Sequence, residues 1–504
     1  MTVETTTLQA NPLVQQHNLS IKLDSTSPKT RALSATILTF GATLTHLTYS
    51  DRWNQPQDVV LGFDHWQDYL AQSEPSALNP YFGSIIGRTA SRIARASFIL
   101  ESKHAPGKNE HERQISDSVS EKVSSFSTTF PNQSTHTLQI SNGVDCHHGG
   151  PLGFDKQHWT TVNISDTDES EPFVSLQLIS PHGQNGYPGR LVTTVKYQLT
   201  KQGEMVIEYW ARLETNPATT SAEDGEKKRE LDLHSTVVSL TNHTYWNLDG
   251  VLNPDESQTH NLIGKEEKVI IRNQCSVKDH TLWLNTSKLV ELGDSHPVPT
   301  GKILELSKLS ESGIQDDVKE LLDFTPLSTT GRGIQLGPGL DRIPGGYGYD
   351  HVYALAPPDS TRSVPDIGIQ GYYPATPHVA TLTSPRTGIR LDLSTSEPAL
   401  VLYTAGYLDQ KLLPRTKSRC LNLPESSVFF ISPSATPLKR NDTGEKSKEK
   451  SIVINAEMDK FAGVCLEPIR YPDAIHHHDW LNMVVLHHDQ IYRQKSVYKF
   501  SVEP

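Results

Sequence analysis

The sequence contains little cysteine, no excess of basic residues and no long apolar run. Its four cysteines, among 504 residues, are widely spaced and form no CxxC pair. We therefore expect reduced thiols and neither a disulfide framework nor a zinc site. Acidic residues outnumber basic ones, 58 to 46, and the formal net charge is −12. Because phosphate neutralisation needs clustered cations, this balance argues against nucleic acid and anionic membranes as partners.

Targeting and membrane signals are also missing from the sequence. No apolar stretch approaches the roughly 18 residues that a membrane-spanning helix requires. Residues 1–16 have neither a basic nor an apolar segment, so we interpret them as a flexible N terminus without a secretory signal. These features predict a soluble, cytoplasmic protein, which we expect to be a monomer.

What the chain does contain is many short stretches of alternating apolar residues. Residues 195–199 and 205–209 alternate on either side of a turn at 201–204, which predicts a β-hairpin. Long amphipathic helices are not evident. The pattern therefore predicts an all-β fold, a large and mostly antiparallel β-sandwich.

The chain is long enough for several domains, but all-β architectures often exceed 200 residues as one unit. We expect a single domain over residues 17–504. Three stretches are polar and poor in aliphatic residues, and we interpret them as flexible, disordered insertions at 101–136, 214–232 and 414–450.

Residues 238–250 form the stretch that most strongly indicates a functional site. With the two-residue period of a strand, the even positions are largely apolar, and the odd positions carry Ser239, Thr241, His243, Tyr245 and Asn247. Such a strand forms either the floor of a polar cleft or a half-exposed strand that wets its outer face. The first interpretation is favoured by a second stretch, 463–473, which offers the carboxylate of Glu467 as a partner.

Further candidate ligands lie in glycine-rich segments. Arg92 belongs to the stretch 79–93, and arginine forks bind hydroxyl-rich or carboxylate ligands, although most arginines only solubilise a surface. His147 and His148 precede a glycine pair; a metal site there is disfavoured because neighbouring side chains on an extended chain point apart. Asp350 follows a glycine-rich loop and is either a cleft acceptor or a turn aspartate.

Taken together, these segments resemble the aldose 1-epimerases, or galactose mutarotases. The matching motifs follow one order along the chain: 58–63, 79–93, 142–156, 186–189, 241–250, 299–301, 349–351, 403–404 and 465–473. The resemblance implies a large antiparallel β-sandwich with a sugar in an open cleft on one concave sheet. It also implies an isomerase that interconverts the α and β anomers of free hexoses, galactose or glucose, without a cofactor or metal.

Residue roles follow from the same resemblance. It implies that His243 is the general acid and Glu467 the general base. His148 resembles the second cleft histidine, while Asp350 and Arg92 resemble the residues that bind sugar hydroxyls.

Five positions depart from the family pattern. Ser91 stands where an asparagine is usual, and we keep it as a substrate-binding candidate. Val401 replaces a glutamine, Pro468-Ile469 replaces Thr-Gln, and His147 replaces a leucine. These changes alter polar contacts around the sugar and leave the acid and base in place, so the preferred sugar is less well defined than the reaction.

Two alternatives to a hexose mutarotase stay open. One is a carbohydrate-binding or regulatory protein that kept the cleft and lost turnover. It is disfavoured because a pure binder needs neither the acid nor the base. The other is a related sugar epimerase or lyase that acts on a larger or modified saccharide.

Overall fold

The structure is a computed structural model, and it describes fifteen stretches of the chain. These are residues 2–7, 13–23, 31–72, 79–101, 133–165, 171–214, 235–253, 268–293, 297–311, 316–327, 333–343, 345–355, 376–413, 416–423 and 450–503. Each of them except 316–327 contains at least one strand.

The strands are numbered β1 to β31 in chain order. The first ten are β1 Thr2–Thr7, β2 Gln15–Lys22, β3 Ala32–Leu38, β4 Thr43–Ser50, β5 Pro56–Asp58, β6 Ile85–Ile86, β7 Arg92–Ile93, β8 Ser97–Glu101, β9 Gln133–Thr137 and β10 Cys146–His147. The next ten are β11 Thr160–Ile164, β12 Phe173–Ser180, β13 Arg190–Leu199, β14 Glu204–Glu214, β15 Ser235–Val237, β16 Thr241–Asn242, β17 Tyr245–Trp246, β18 Lys268–Gln274, β19 Thr281–Leu284 and β20 Lys288–Leu292. The last eleven are β21 Pro299–Glu305, β22 Ile334–Gln335, β23 Asp350–Ala354, β24 His378–Thr383, β25 Ile389–Thr395, β26 Ala399–Tyr403, β27 Ser418–Leu423, β28 Lys450–Glu457, β29 Val464–Ile469, β30 Val485–His487 and β31 Tyr492–Val502.

Helices are short within the described ranges. The α-helices there are α1 Trp66–Ala71, α2 Asp316–Leu322 and α3 Gly337–Arg342. Single 3₁₀ turns occupy Ala94–Ala96, Phe154–Lys156, Gln184–Gly186, Leu306–Glu311, Gln410–Leu412, Ala474–His476 and Leu481–Met483. None of the helices in these ranges combines the length and apolar character needed to cross a bilayer.

Two large antiparallel sheets form the sandwich. One has nine strands in the order β11-β12-β13-β14-β31-β25-β24-β19-β22, and the other has six in the order β17-β29-β26-β23-β20-β21. Strands β1 to β5 form a third sheet in sequence order. The predicted hairpin is confirmed, because β13 and β14 pair antiparallel along their whole length. The all-β sandwich predicted from the sequence is also confirmed.

The main core lies between the two large sheets. Leu400, Leu402 and Leu466 of the six-stranded sheet belong to the same buried cluster as Val195 and Ile207 of the nine-stranded sheet. Since side chains alternate along a strand, the residues between them point the other way. We call that side the outer face; it carries Val401, Tyr403, Cys465 and Glu467.

The stretch 238–250 differs from the single strand predicted for it. Two short strands, β16 and β17, pair with β6 and β29 in different sheets, and His243 lies between them. The backbone N–H of His243 donates to Ser84 O at 3.0 Å, and its carbonyl accepts from Gly83 N at 3.0 Å. Every residue from 238 to 248 is buried, so the stretch is not a half-exposed strand.

Two of the five polar side chains predicted to face a cleft, Thr241 and Asn247, instead donate to backbone carbonyls, as does their neighbour Asn242. Thr241 Oγ1 donates to Pro468 O at 2.9 Å, and Asn242 Nδ2 donates to Gly83 O at 2.7 Å. Asn247 Nδ2 donates to Ala462 O at 2.8 Å. The physical reason is that neighbouring elements enclose the stretch, and buried polar groups are normally hydrogen-bonded within the protein.

The ends of the predicted flexible segments also differ from expectation. Residues 2–7, placed in the flexible N terminus, form β1 and pair with β2. Residues 133–136 of the first insertion lie in β9, which pairs with β8, and residues 418–423 of the third form β27, which pairs with β28. The remainder of the three segments, 102–132, 215–232, 414–415 and 424–449, lies outside the described residues.

Candidate functional site

Four neighbouring strands of the six-stranded sheet place side chains in one row on its outer face. Tyr245 of β17 lies opposite Cys465 of β29. Cys465 lies opposite Tyr403 of β26, which in turn lies opposite Asp350 of β23. Glu467 follows Cys465 by two residues and therefore points from the same face of the same strand.

His243 and Glu467 meet at one end of this row. Nε2 of His243 lies 3.5 Å from Oε1 of Glu467, and the side chains are only 6% and 4% exposed. Nδ1 of the same imidazole lies 3.6 Å from Sγ of Cys465. An acid–base pair that is far apart in sequence is thus assembled where β29 passes the segment between β16 and β17.

Two tyrosines stack against the imidazole of His243. The ring of Tyr81 lies 5.5 Å away at an interplanar angle of 28°, and that of Tyr245 lies 5.1 Å away at 26°. The ring of His148 approaches edge-on, at 5.6 Å and 80°. These aromatic neighbours exclude water and limit rotation of the His243 ring.

Burial shifts the pKa of both members of the pair. It lowers the pKa of His243 to about 4, because the charged imidazolium is desolvated. Burial also raises the pKa of Glu467 well above the usual carboxyl value, and the negative charge of Asp350 raises it further. Desolvation therefore favours a neutral pair, in which the Glu467 carboxyl is protonated and the His243 imidazole is uncharged.

His148 and Ser91 are held together by two hydrogen bonds. The backbone N–H of Ser91 donates to Nδ1 of His148 at 3.2 Å, and the backbone N–H of His148 donates to Ser91 O at 3.0 Å. Because Nδ1 is an acceptor, a neutral His148 carries its proton on Nε2. Ser91 thus contacts His148 through its backbone. The two hydrogen bonds orient the imidazole of His148 beside His243.

Arg92 and Asp350 are the more accessible members of the site. Arg92 is half-buried in β7, opposite His147 of β10. Asp350 is exposed on one side, yet partial desolvation raises its pKa, while the positive charge of Arg92 lowers it. The two residues therefore place opposite charges near each other at the rim, and the acid–base pair lies deeper.

The spacing of the buried donors also raises the question of a metal. Donor atoms of His243, Cys465 and Glu467 lie within 4.8 Å of one another. The set suits a cation poorly, because burial raises the pKa of both the Cys465 thiol and the Glu467 carboxyl, and metal ligands must be deprotonated. In addition, the two nitrogens of His243 face two different partners.

The chain is similar to known proteins over most of its length. The family model described as Aldose 1-epimerase matches residues 26–113, 129–222 and 227–499. The chain belongs to the aldose 1-epimerase family. Members of this family are isomerases, and their relationship to this chain extends over most of its length.

Individual relatives of this aldose 1-epimerase family member cover large parts of both chains. Galactose mutarotase from Bos taurus is 26% identical over 405 residues, which is 80% of this chain and 83% of the relative. Galactose mutarotase from Homo sapiens is 30% identical over 292 residues, 58% of this chain and 61% of the relative. The crystal structure of an aldose epimerase homologue from C. elegans has a TM-score of 0.57 at 21% identity and covers 97% of this chain and 100% of its own; it shares the fold.

Three residues around His243 were not predicted as site residues of this family member: Tyr81, Tyr245 and Cys465. Two of them carry a local signal, because Tyr245 follows His243 by two residues and Cys465 precedes Glu467 by two in an extended chain. Tyr81 carries none, since a separate segment brings it to the site. Spacing along a strand identifies side chains on the same face of that strand, but it gives no information about contacts with other segments.

Proposed function

We propose that this protein interconverts the α and β anomers of free hexoses, galactose or glucose, with Glu467 as the general base and His243 as the general acid. The observation that supports this most directly is the 3.5 Å approach of the imidazole Nε2 to the carboxyl group of Glu467, with both side chains almost completely buried. The anomeric hydroxyl and the ring oxygen of a pyranose are bonded to the same carbon. An acid and a base that serve both oxygens must therefore be neighbours.

Opening of the sugar ring requires Glu467 as a carboxylate and His243 as an imidazolium. The Glu467 carboxylate takes the proton of the anomeric hydroxyl, the carbonyl double bond forms, and the bond from the anomeric carbon to the ring oxygen breaks. The ring oxygen receives the proton of Nε2 of the His243 imidazolium. Rotation about the bond between the first two carbons presents the other carbonyl face, and the reverse steps close the ring.

The number of protons on the pair does not change during this cycle. Before opening, the proton is on His243, and afterwards it is on Glu467. Burial raises the pKa of Glu467 and lowers that of His243, so it strengthens the base and the acid together. It also favours the neutral pair, which is the state that accompanies the open-chain aldehyde. In this proposal Arg92, Asp350, His148 and Ser91 bind or frame the sugar.

Polarimetry on freshly dissolved α-galactose tests the proposal. Glu467→Gln is expected to lower kcat by about 10² to 10⁴, the typical contribution of a positioned general base. Glu457→Gln is the matched control, because Glu457 lies in β28 and pairs with Arg272 at 3.5 Å. Equal rates for Glu467→Gln and the wild type would reject the assignment, and sugar binding by calorimetry without anomerisation would favour the carbohydrate-binding alternative.

A further inference from the structure

Two side chains of strand β29 contact the two ring nitrogens of His243. Glu467 lies 3.5 Å from Nε2, and Cys465 lies 3.6 Å from Nδ1. The two side chains leave the same face of the strand, two residues apart. The proposed mechanism uses Nε2 and Glu467, and it leaves the role of the thiol undefined.

The surroundings of Cys465 enclose its thiol and keep it protonated. The residue is fully buried, and its strand neighbours on the outer face are Tyr245 on one side and Tyr403 on the other. Burial raises the pKa of the thiol well above that of free cysteine, and the charges of Glu467 and Asp350 raise it further. The group therefore stays a neutral S–H next to the imidazole.

A neutral thiol has a property that a carbonyl or an ammonium group lacks at this position. It is a weak donor and also a weak acceptor. When His243 is neutral, S–H donates to Nδ1, so the ring proton is on Nε2. When His243 is an imidazolium, Nδ1–H donates to sulfur. One partner thus fits both protonation states, and the ring need not turn as its Nε2 proton is released and recovered.

The strength of this hydrogen bond also matters. A carboxylate at the same place would stabilise the imidazolium and make it a weaker acid. A weak, uncharged partner orients the ring without that effect. We propose that Cys465 is a positioning residue for His243, whose thiol fixes Nε2 as the nitrogen that exchanges the proton with the substrate. The catalytic part of this inference rests on the proposed function.

Two substitutions separate positioning from packing. Cys465→Ala removes the hydrogen bond, whereas Cys465→Ser keeps a group that both donates and accepts. Cys275→Ala is the control, since Cys275 is also buried and its Sγ donates to Val251 O at 3.6 Å. We expect Cys465→Ala to lower kcat about fivefold with KM within about twofold, and Cys465→Ser to lose less than about threefold, since a net hydrogen bond is worth roughly 1 kcal/mol.

A spectroscopic measurement tests the inference independently of turnover. In ¹⁵N-histidine-labelled protein, assigned with His243→Asn, wild type and Cys465→Ser should show neutral His243 with its proton on Nε2. Cys465→Ala should show a mixture of the two tautomers. Wild-type kcat and an unchanged tautomer in Cys465→Ala would overturn the proposal, as would equal losses in the Ala and Ser variants without a change of tautomer. A tautomer change in a protein that never anomerises sugar would reject the proposed function and leave the positioning role standing.

Discussion

At the scale of single residues, the candidate site combines buried ionisable groups with accessible ones. His243 and Glu467 are almost completely buried, and each has its pKa shifted away from the charged form. Arg92 and Asp350 stay in contact with solvent. Under the proposed function this gradient separates two tasks: Arg92 and Asp350 recognise the hydroxyl groups of the sugar, and His243 and Glu467 transfer protons.

Arg92 should therefore affect binding more than turnover. Arg92→Lys keeps the positive charge and removes the planar fork that holds two oxygens at once. We expect KM for galactose to rise about tenfold, which corresponds to about 1.4 kcal/mol, with kcat within about twofold. Initial-rate polarimetry measures both constants.

Arg95→Lys is the matched control for Arg92→Lys. Arg95 is exposed in the turn that follows β7, and its replacement should leave KM unchanged. A normal KM in Arg92→Lys, or an equal effect of both substitutions, would show that Arg92 does not bind the sugar.

At the scale of elements, alternation is informative where one face of a strand is buried and the other is more open. The burial pattern of β31 alternates along most of its length, and β13 and β14 form the predicted hairpin. The same reasoning failed at 238–250, because a segment enclosed on all sides leaves no difference between its faces. It also missed β1 and β27, whose polar composition concealed their pairing with β2 and β28.

Val401 offers a test of how one strand sets sugar affinity. It lies directly opposite Glu467 on the outer face and brings no hydrogen-bonding group to the side of the base away from His243. Val401→Gln places an amide there, and one added hydrogen bond is worth about 1 kcal/mol. We expect KM for galactose to fall several-fold, with kcat little changed.

Val401→Met is the matched control, since methionine has the length of glutamine and no amide. It should leave KM near the wild-type value. If both variants lower KM equally, the gain comes from side-chain length, and if neither does, the sugar does not contact β26 at this position.

At the scale of the whole molecule, the meeting of His243 and Glu467 is the feature that local patterns could not predict. No periodicity relates the two residues, and the expectation that they share a pocket came from the order of motifs along the chain. The packing that joins them also buries ionisable groups far from the site. His17 is an example: it is fully buried in β2 and bridges Thr5 and Thr161 at 2.9 and 2.8 Å.

His17 makes the stability of the fold depend on pH. Burial lowers its pKa to about 4, whereas in the unfolded chain it is about 6.5. Between these values the unfolded state binds one more proton than the folded state, so stability falls as the pH falls. His17 alone makes the free energy of unfolding fall by about 1.4 kcal/mol for each pH unit between pH 6.5 and 4.

Urea unfolding between pH 7 and pH 4.5 measures this slope. His17→Gln should lower the free energy of unfolding at pH 7 and make its decline towards acid pH shallower by about 1.4 kcal/mol per unit. Gln16→Ala, on the same strand and without a titratable group, should keep the wild-type slope. An unchanged slope in His17→Gln would mean that the folded protein protonates His17 as readily as the unfolded chain, which would contradict its placement between two threonines in the interior.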